Sequence, residues 1–174
     1  MSLREIRKKG DEVLTKRCRP YTDFNDHLHT LMDDLQDTLI DSGGVGLAAP
    51  QVGVLRRAVV VLETNVSDDE EPYVIEMVNP TIIATEGEQD GPEGCLSVPG
   101  VFGQVKRPEK VTVKAFDRYG NEFTVDGEGL TARAFCHELD HLDGHLFLEV
   151  AERILTDEEL EAMSEDDEEY EEDD

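Results

Sequence analysis

At 174 residues and 19.5 kDa the chain is sized for one domain with a proper core. Its 42 acidic residues against 16 basic ones give a formal charge of −26, which suits solubility and argues against direct nucleic-acid specificity. Met1 to Lys9 is charged, no run of 18 apolar residues occurs, and the cysteines Cys18, Cys95 and Cys136 are odd in number and widely spaced. These features disfavour a secretory leader, a membrane span and a disulfide scaffold, and lead us to expect a cytoplasmic protein with reduced thiols.

Asn25 to Asp41 carries Leu28, Leu31, Met32, Leu35, Leu39 and Ile40 at helical spacing. Thr22 or Asp23 can cap this helix and Gly43-Gly44 can end it. Gly43 to Gln51 is dense in glycine and alanine and reads as a glycine turn that lets backbone approach a ligand. It is no phosphate loop, since Gly-Lys-Ser/Thr is missing and Pro50 interrupts a helix start. Gln51, a polar amide after an apolar run, can donate a hydrogen bond to a developing oxyanion. Strand patterns follow at Arg57–Leu62, Tyr73–Asn79, Thr81–Thr85, Val111–Phe116 and Glu122–Val125, the last two joined by a turn at Asp117–Asn121. Asp68 to Pro72 reads as an exposed acidic loop. A helix is expected at about 130–143, stopped by Gly144, then a short strand or turn at Leu146–Leu148 and a final helix near 156–163. Strands blocked together between helices indicate an α+β fold. From Ser164 to Asp174 nine of eleven residues are acidic, and removing them leaves 33 acids against 16 bases, or −17. We expect a domain over 1–163 followed by a disordered acidic tail over 164–174, with docking to a basic partner as the alternative role for the tail.

His137-Glu138-Leu139-Asp140-His141 is the most informative segment. Two imidazoles four residues apart share one helix face, about 6 Å apart along the axis. Both can reach one divalent cation, and Glu138 stands beside the first with a carboxylate free to move protons. The competing reading is a chance pair of partly buried histidines. A metal site needs a third ligand, and Cys95 in Glu93-Gly94-Cys95-Leu96-Ser97-Val98-Pro99, a strand-like segment with tight turns, is the candidate, unless it is an ordinary buried cysteine. His145 competes, but Gly144 breaks the helix before it, so a solvated His145 is expected. Cys136 points about 100° away around the helix and reads as packing, while Cys18 carries no signal.

Taken in order, Gly44-Val45-Gly46-Leu47-Ala48-Ala49-Pro50-Gln51, Glu93-Gly94-Cys95-Leu96-Ser97 and His137-Glu138-Leu139-Asp140-His141 resemble the three signature motifs of the peptide deformylase family. Gly10-Asp11-Glu12-Val13-Leu14 also resembles that family's opening segment, and the likeness covers about residues 3–150. The resemblance implies an α+β deformylase fold, with antiparallel or mixed sheets around a central metal-binding helix. It also implies hydrolysis of the formyl group from N-formylmethionyl nascent polypeptides, with release of formate. On this resemblance Cys95, His137 and His141 hold one divalent metal and Glu138 is the general acid and base. Gln51 and the Leu96 N–H form the oxyanion site, Gly46 bonds the peptide backbone, and Val45, Leu130 and Ala134 line the methionine pocket. Ferrous iron is the implied native ion, with zinc or nickel also accommodated. The implied partners are nascent formyl-Met peptides and, transiently, the ribosome, for a bacterial cytoplasmic monomer with no membrane role.

Two positions depart from the family pattern. Cys136 stands where a Gln often precedes the first ligand, and the acidic tail is a poor contact for ribosomal RNA. Asp140 is expected to orient a ligand or to pair with Arg107. Two rivals remain at this point: a zinc endopeptidase drawing its acidic ligand from Glu158, Glu159 or Glu161, and a non-catalytic metal-binding or interaction protein.

Overall fold

A computed structural model describes residues 2–163, so the acidic tail lies outside the described residues. Helix α1 (Asp26–Ser42) fills the expected first helix, but neither Thr22 nor Asp23 caps it. Asn25 does, its side chain accepting the Leu28 N–H at 3.2 Å. At the other end Gly43 adopts the left-handed conformation (φ 72°) and returns its N–H to Leu39 and Ile40.

A five-stranded antiparallel sheet forms the body, in the order β1-β2-β3-β6-β7. Its strands are β1 (Gly46–Ala48), β2 (Ala58–Glu63), β3 (Tyr73–Glu86), β6 (Lys110–Phe116) and β7 (Glu122–Glu128). β4 (Gln89–Cys95), β5 (Val98–Arg107) and β8 (Arg153–Ile154) make a separate three-stranded sheet. Helix α2 (Leu130–Leu142) packs on one face of the larger sheet and α1 on the other. The alternation along β2 explains this sandwich. Val59 and Val61 join the cluster with Phe135, Leu139 and Leu142 of α2, while Ala58 and Val60 join the cluster with Leu28, Leu35 and Leu39 of α1. Each large apolar side chain so buried contributes roughly 1.5–3 kcal/mol. Val98, Val105 and Phe147 form a third cluster beneath the small sheet.

Two expectations change, one alternative is decided and one element is new. The two strands proposed for 73–85 are one strand, whose register against β6 shifts between Val78 and Thr81, where Asn79 takes a left-handed φ of 50°. The Gly43–Gln51 segment is not merely a turn, since it holds edge strand β1 and a 3-10 helix at Ala49–Val52, with Pro50 at the helix start where its missing N–H is harmless. Of the strand or turn expected at Leu146–Leu148 the structure has the turn, a 3-10 turn at Phe147–Glu149. Finally, Gln89 to Arg107 is a hairpin that alternation had not revealed.

The first residues form a strap across these layers. Arg4 reaches α1, through Asp34 at 2.9 Å and Thr38 at 3.0 Å. Arg7 donates its N–H to the Gln51 carbonyl at 2.6 Å, and Lys9 to the Ser97 carbonyl at 2.8 Å.

Candidate active site

α2 buries eleven of its thirteen residues, so its polar side chains must find partners inside the protein. His137 and His141 stand on the same face, with their Nε2 atoms 3.3 Å apart. Cys95 meets them from the end of β4, its Sγ 3.3 Å from His141 Nε2. Leu96 and Ser97 form the two-residue turn between β4 and β5, so the thiol is presented at the mouth of a tight hairpin. The ligating atoms of Cys95, His137 and His141 all lie within 4.8 Å of one another.

The donor set fits a metal ion. His137 Nδ1 sits 2.8 Å from Glu93 Oε2, so its N–H faces the carboxylate and the lone pair of Nε2 faces His141. The Ser97 backbone N–H and the Gln51 amide point at Cys95 Sγ, at 3.4 and 3.5 Å, an acceptor's environment that suits a thiolate. His141 Nδ1 is buried with no hydrogen-bond partner among the described residues. Thiolate with two imidazoles is a three-ligand set that leaves room for water or substrate. Burial works against charge on either ring. Hydrogen bonding to Cys95 and Glu93 nevertheless lifts His137 well above the ordinary histidine range, whereas burial, and then the His137 charge, pull His141 down to about 3.

Glu93 anchors the arrangement. Burial alone would raise its pKa, but hydrogen bonds from His137 and Arg107 outweigh that and hold it at about 2. Arg107 grips it with two bonds, at 3.1 and 2.7 Å, and Arg133 adds a third at 3.1 Å. Arg107 also holds Asp140 at 2.8 Å, the pairing the sequence suggested. Glu93 was missed as a functional residue. The available signal was its place two residues before Cys95 on β4, and both side chains reach α2, Glu93 at His137 and Arg133 and Cys95 at His141.

Glu138 lies 2% exposed, its Oε1 3.7 Å from His137 Nε2 and its Oε2 without a partner among the described residues. Burial pushes its pKa up to about 7, against the lowering influence of a charged His137. Such a carboxyl can both take and give a proton near neutral pH. Gly46 makes room for it: a Cβ there would come within 2.8 Å of Glu138 Cγ.

A cavity of about 610 Å³ opens on this group and is lined by every residue nominated for metal, proton transfer, oxyanion or peptide binding except His141. Ala134 is buried in its wall, while Val45 (36% exposed) and Leu130 (50% exposed) stand nearer the mouth. Gln51 is buried, its Oε1 accepting the Ala48 N–H at 2.9 Å and its Nε2 donating to Ser97 Oγ at 3.1 Å. His145 is exposed and pairs with Glu149, while Cys18 and Cys136 are buried in packing positions, each with a thiol that burial raises to about 11. Among the described residues the metal-capable group includes none of Glu158, Glu159 and Glu161.

An α+β body holding a thiol, two imidazoles and a buried carboxyl at the floor of an apolar cleft has the layout of a mononuclear metallohydrolase. Residues 3–156 match the polypeptide deformylase family model. A peptide deformylase of Caldanaerobacter subterraneus is 52% identical over 165 residues, covering 95% of this chain and 99% of that one. A crystal structure of a peptide deformylase from Legionella pneumophila aligns with TM-score 0.77 and 42% identity, covering 98% and 96% of the two chains. A Met-Ala-Ser-bound class I type b peptide deformylase from Acinetobacter baumannii aligns with TM-score 0.78 and 35% identity, covering 86% and 98%. The chain belongs to the polypeptide deformylase family, enzymes that remove the N-formyl group from nascent peptides.

Proposed function

We propose that residues 1–163 form the catalytic unit, that Cys95, His137 and His141 hold one divalent ion, and that Glu138 moves the protons of deformylation. The observation that carries this reading is the convergence of one sulfur and two imidazole nitrogens within 4.8 Å, beside a buried carboxyl, in the cleft. When bound, the ion supplies Lewis-acid chemistry, polarising a carbonyl and acidifying water. Thiolate and imidazole suit ferrous iron, the ion the family resemblance favours, and equally zinc or nickel.

The chain's own groups do the rest. Glu138, poised near pH 7, accepts a proton from the attacking water and delivers it to the leaving amine nitrogen, so that formate and a free methionyl amine result. Gln51 and the Leu96 N–H stabilise the negative charge on the formyl oxygen. Gly46 lies in β1, an edge strand of the larger sheet, and Gly94 in β4, an edge strand of the smaller one. An extended peptide fits between those edges as an added strand, with Gly46 bonding its backbone. Val45, Leu130 and Ala134 receive the methionine side chain, whose flexible thioether suits such a wall. The same reading gives a cytoplasmic monomer that meets nascent chains, with transient association with the ribosome.

Formate release from formyl-Met-Ala-Ser by anaerobically prepared protein tests the reading. Turnover that tracks metal content is expected. A fully metal-loaded protein that releases no formate would overturn it.

A further inference from the structure

We propose that Lys8 is a specificity-determining residue, selecting substrates with an acidic side chain immediately after the formyl-methionine. The inference rests on the cleft being the peptide site.

Lys8 lines the cleft and is exposed to it. Its Nζ is tied to the Leu96 carbonyl at 3.1 Å, which fixes the amine at the β4–β5 turn and leaves further N–H donors for a ligand. The strap secures the residues on either side, through Arg7 N–H to Gln51 and Lys9 N–H to Ser97. The other charged groups of the cleft are already committed: Glu93 and Arg133 neutralise each other at 3.1 Å, and Glu138 is buried beside His137. Lys8 makes no ion pair among the described residues, so the open cleft of a chain with a formal charge of −26 presents one uncompensated cation.

The methionine wall is built on α2, at Leu130 and Ala134, whereas Lys8 is held at the β4–β5 turn. Side chains of an extended peptide alternate between its two faces. With methionine turned toward α2, the next side chain turns away from it, toward Leu96 and Lys8, and the third turns back. A glutamate there lays its methylenes along Leu96 and Ile6 and brings its carboxylate to the amine.

The test is kcat/KM for formyl-Met-Glu-Ser-amide against formyl-Met-Gln-Ser-amide and formyl-Met-Lys-Ser-amide. An exposed ion pair predicts about a two- to fivefold preference for Glu over Gln at low salt, carried by KM and shrinking as salt is added. The ratio should fall to about one in Lys8→Met, persist in Lys8→Arg and invert toward the Lys peptide in Lys8→Glu. An equal Glu preference in Lys8→Met, or none in the parent enzyme, would overturn the assignment. So would a preference that follows Glu at the third residue, or a C-terminal acid over its amide whatever the second residue. Binding of Met-Glu-Ser-amide and Met-Gln-Ser-amide, measured in parallel, tests the Lys8 contact independently of turnover. Absence of formate from every peptide would count against the proposed reaction, not against the Lys8 contact.

Discussion

Replacing Glu93 by Gln keeps the shape of the side chain and removes the charge that three cationic or hydrogen-bonding partners share. Arg107 retains Asp140 at 2.8 Å, but Arg133 makes no other ion pair among the described residues. A carboxyl drawn down from 4.5 to about 2 is worth about 3 kcal/mol of folding free energy at neutral pH, at about 1.4 kcal/mol per pH unit. Breaking a buried ion pair by removing one partner costs roughly 3–5 kcal/mol, in agreement. Urea denaturation of the metal-free protein at pH 7 should therefore find Glu93→Gln less stable by about 3 kcal/mol. Because the folded pKa lies below the unfolded one, this stabilisation is complete above about pH 4.5 and fades as pH falls toward 2. The gap between parent and variant should accordingly narrow as pH falls from about 4.5 to about 2. Metal affinity should also drop, by about 10–100-fold in competition with a chelator, since His137 loses the group that orients it. A loss below about 1 kcal/mol at pH 7, or a gap that stays constant with pH, would refute the assignment of Glu93 as the electrostatic anchor.

Cys95→Ala should bind less than one metal per chain, and full occupancy by elemental analysis would contradict the ligand set. Glu138→Gln should keep its metal and lose at least about 100-fold in kcat, because an amide cannot shuttle protons; near-normal turnover would mean that another group does. Ala134→Phe should raise KM for formyl-Met peptides without changing metal content, and an unchanged KM would move the methionine pocket elsewhere. Deleting residues 164–174 should leave kcat within about twofold and the thermal midpoint nearly unchanged, as expected of a segment with almost no apolar surface to bury; loss of activity on truncation would contradict that.

Local signals made much of the site readable. The four-residue histidine spacing needs only helix geometry, and α2 realises it. The leucine periodicity of α1 is equally local, although the cap moved to Asn25 because side-chain geometry, not composition, decides which of several polar residues bonds the free N–H groups. Within residues 89–107 the segment around Cys95 was legible as strand-like with tight turns, but the full hairpin was not, for a physical reason. Gly91, Pro92, Gly94, Pro99, Gly100 and Gly103 interrupt the strand pattern, and the hairpin is held instead by pairing with its own return strand and by Phe102 lying over Gly94. A Cβ at Gly94 would meet that ring at 2.6 Å, a constraint set by tertiary packing. The convergence of Glu93 with Arg107, Arg133 and His137 is likewise non-local, joining positions up to 44 residues apart. The cleft-facing place of Lys8 depends on the strap, which no periodicity announces.

That strap also orders events in time. A ribosome releases residues 4–9 before their bonding partners, which are up to 88 positions further along the chain, and the last proposed ligand comes at His141. Loops of that span close more slowly than helices wind. In refolding, recovery of turnover should therefore lag recovery of the helical circular-dichroism signal, the interval being the time taken to close the strap.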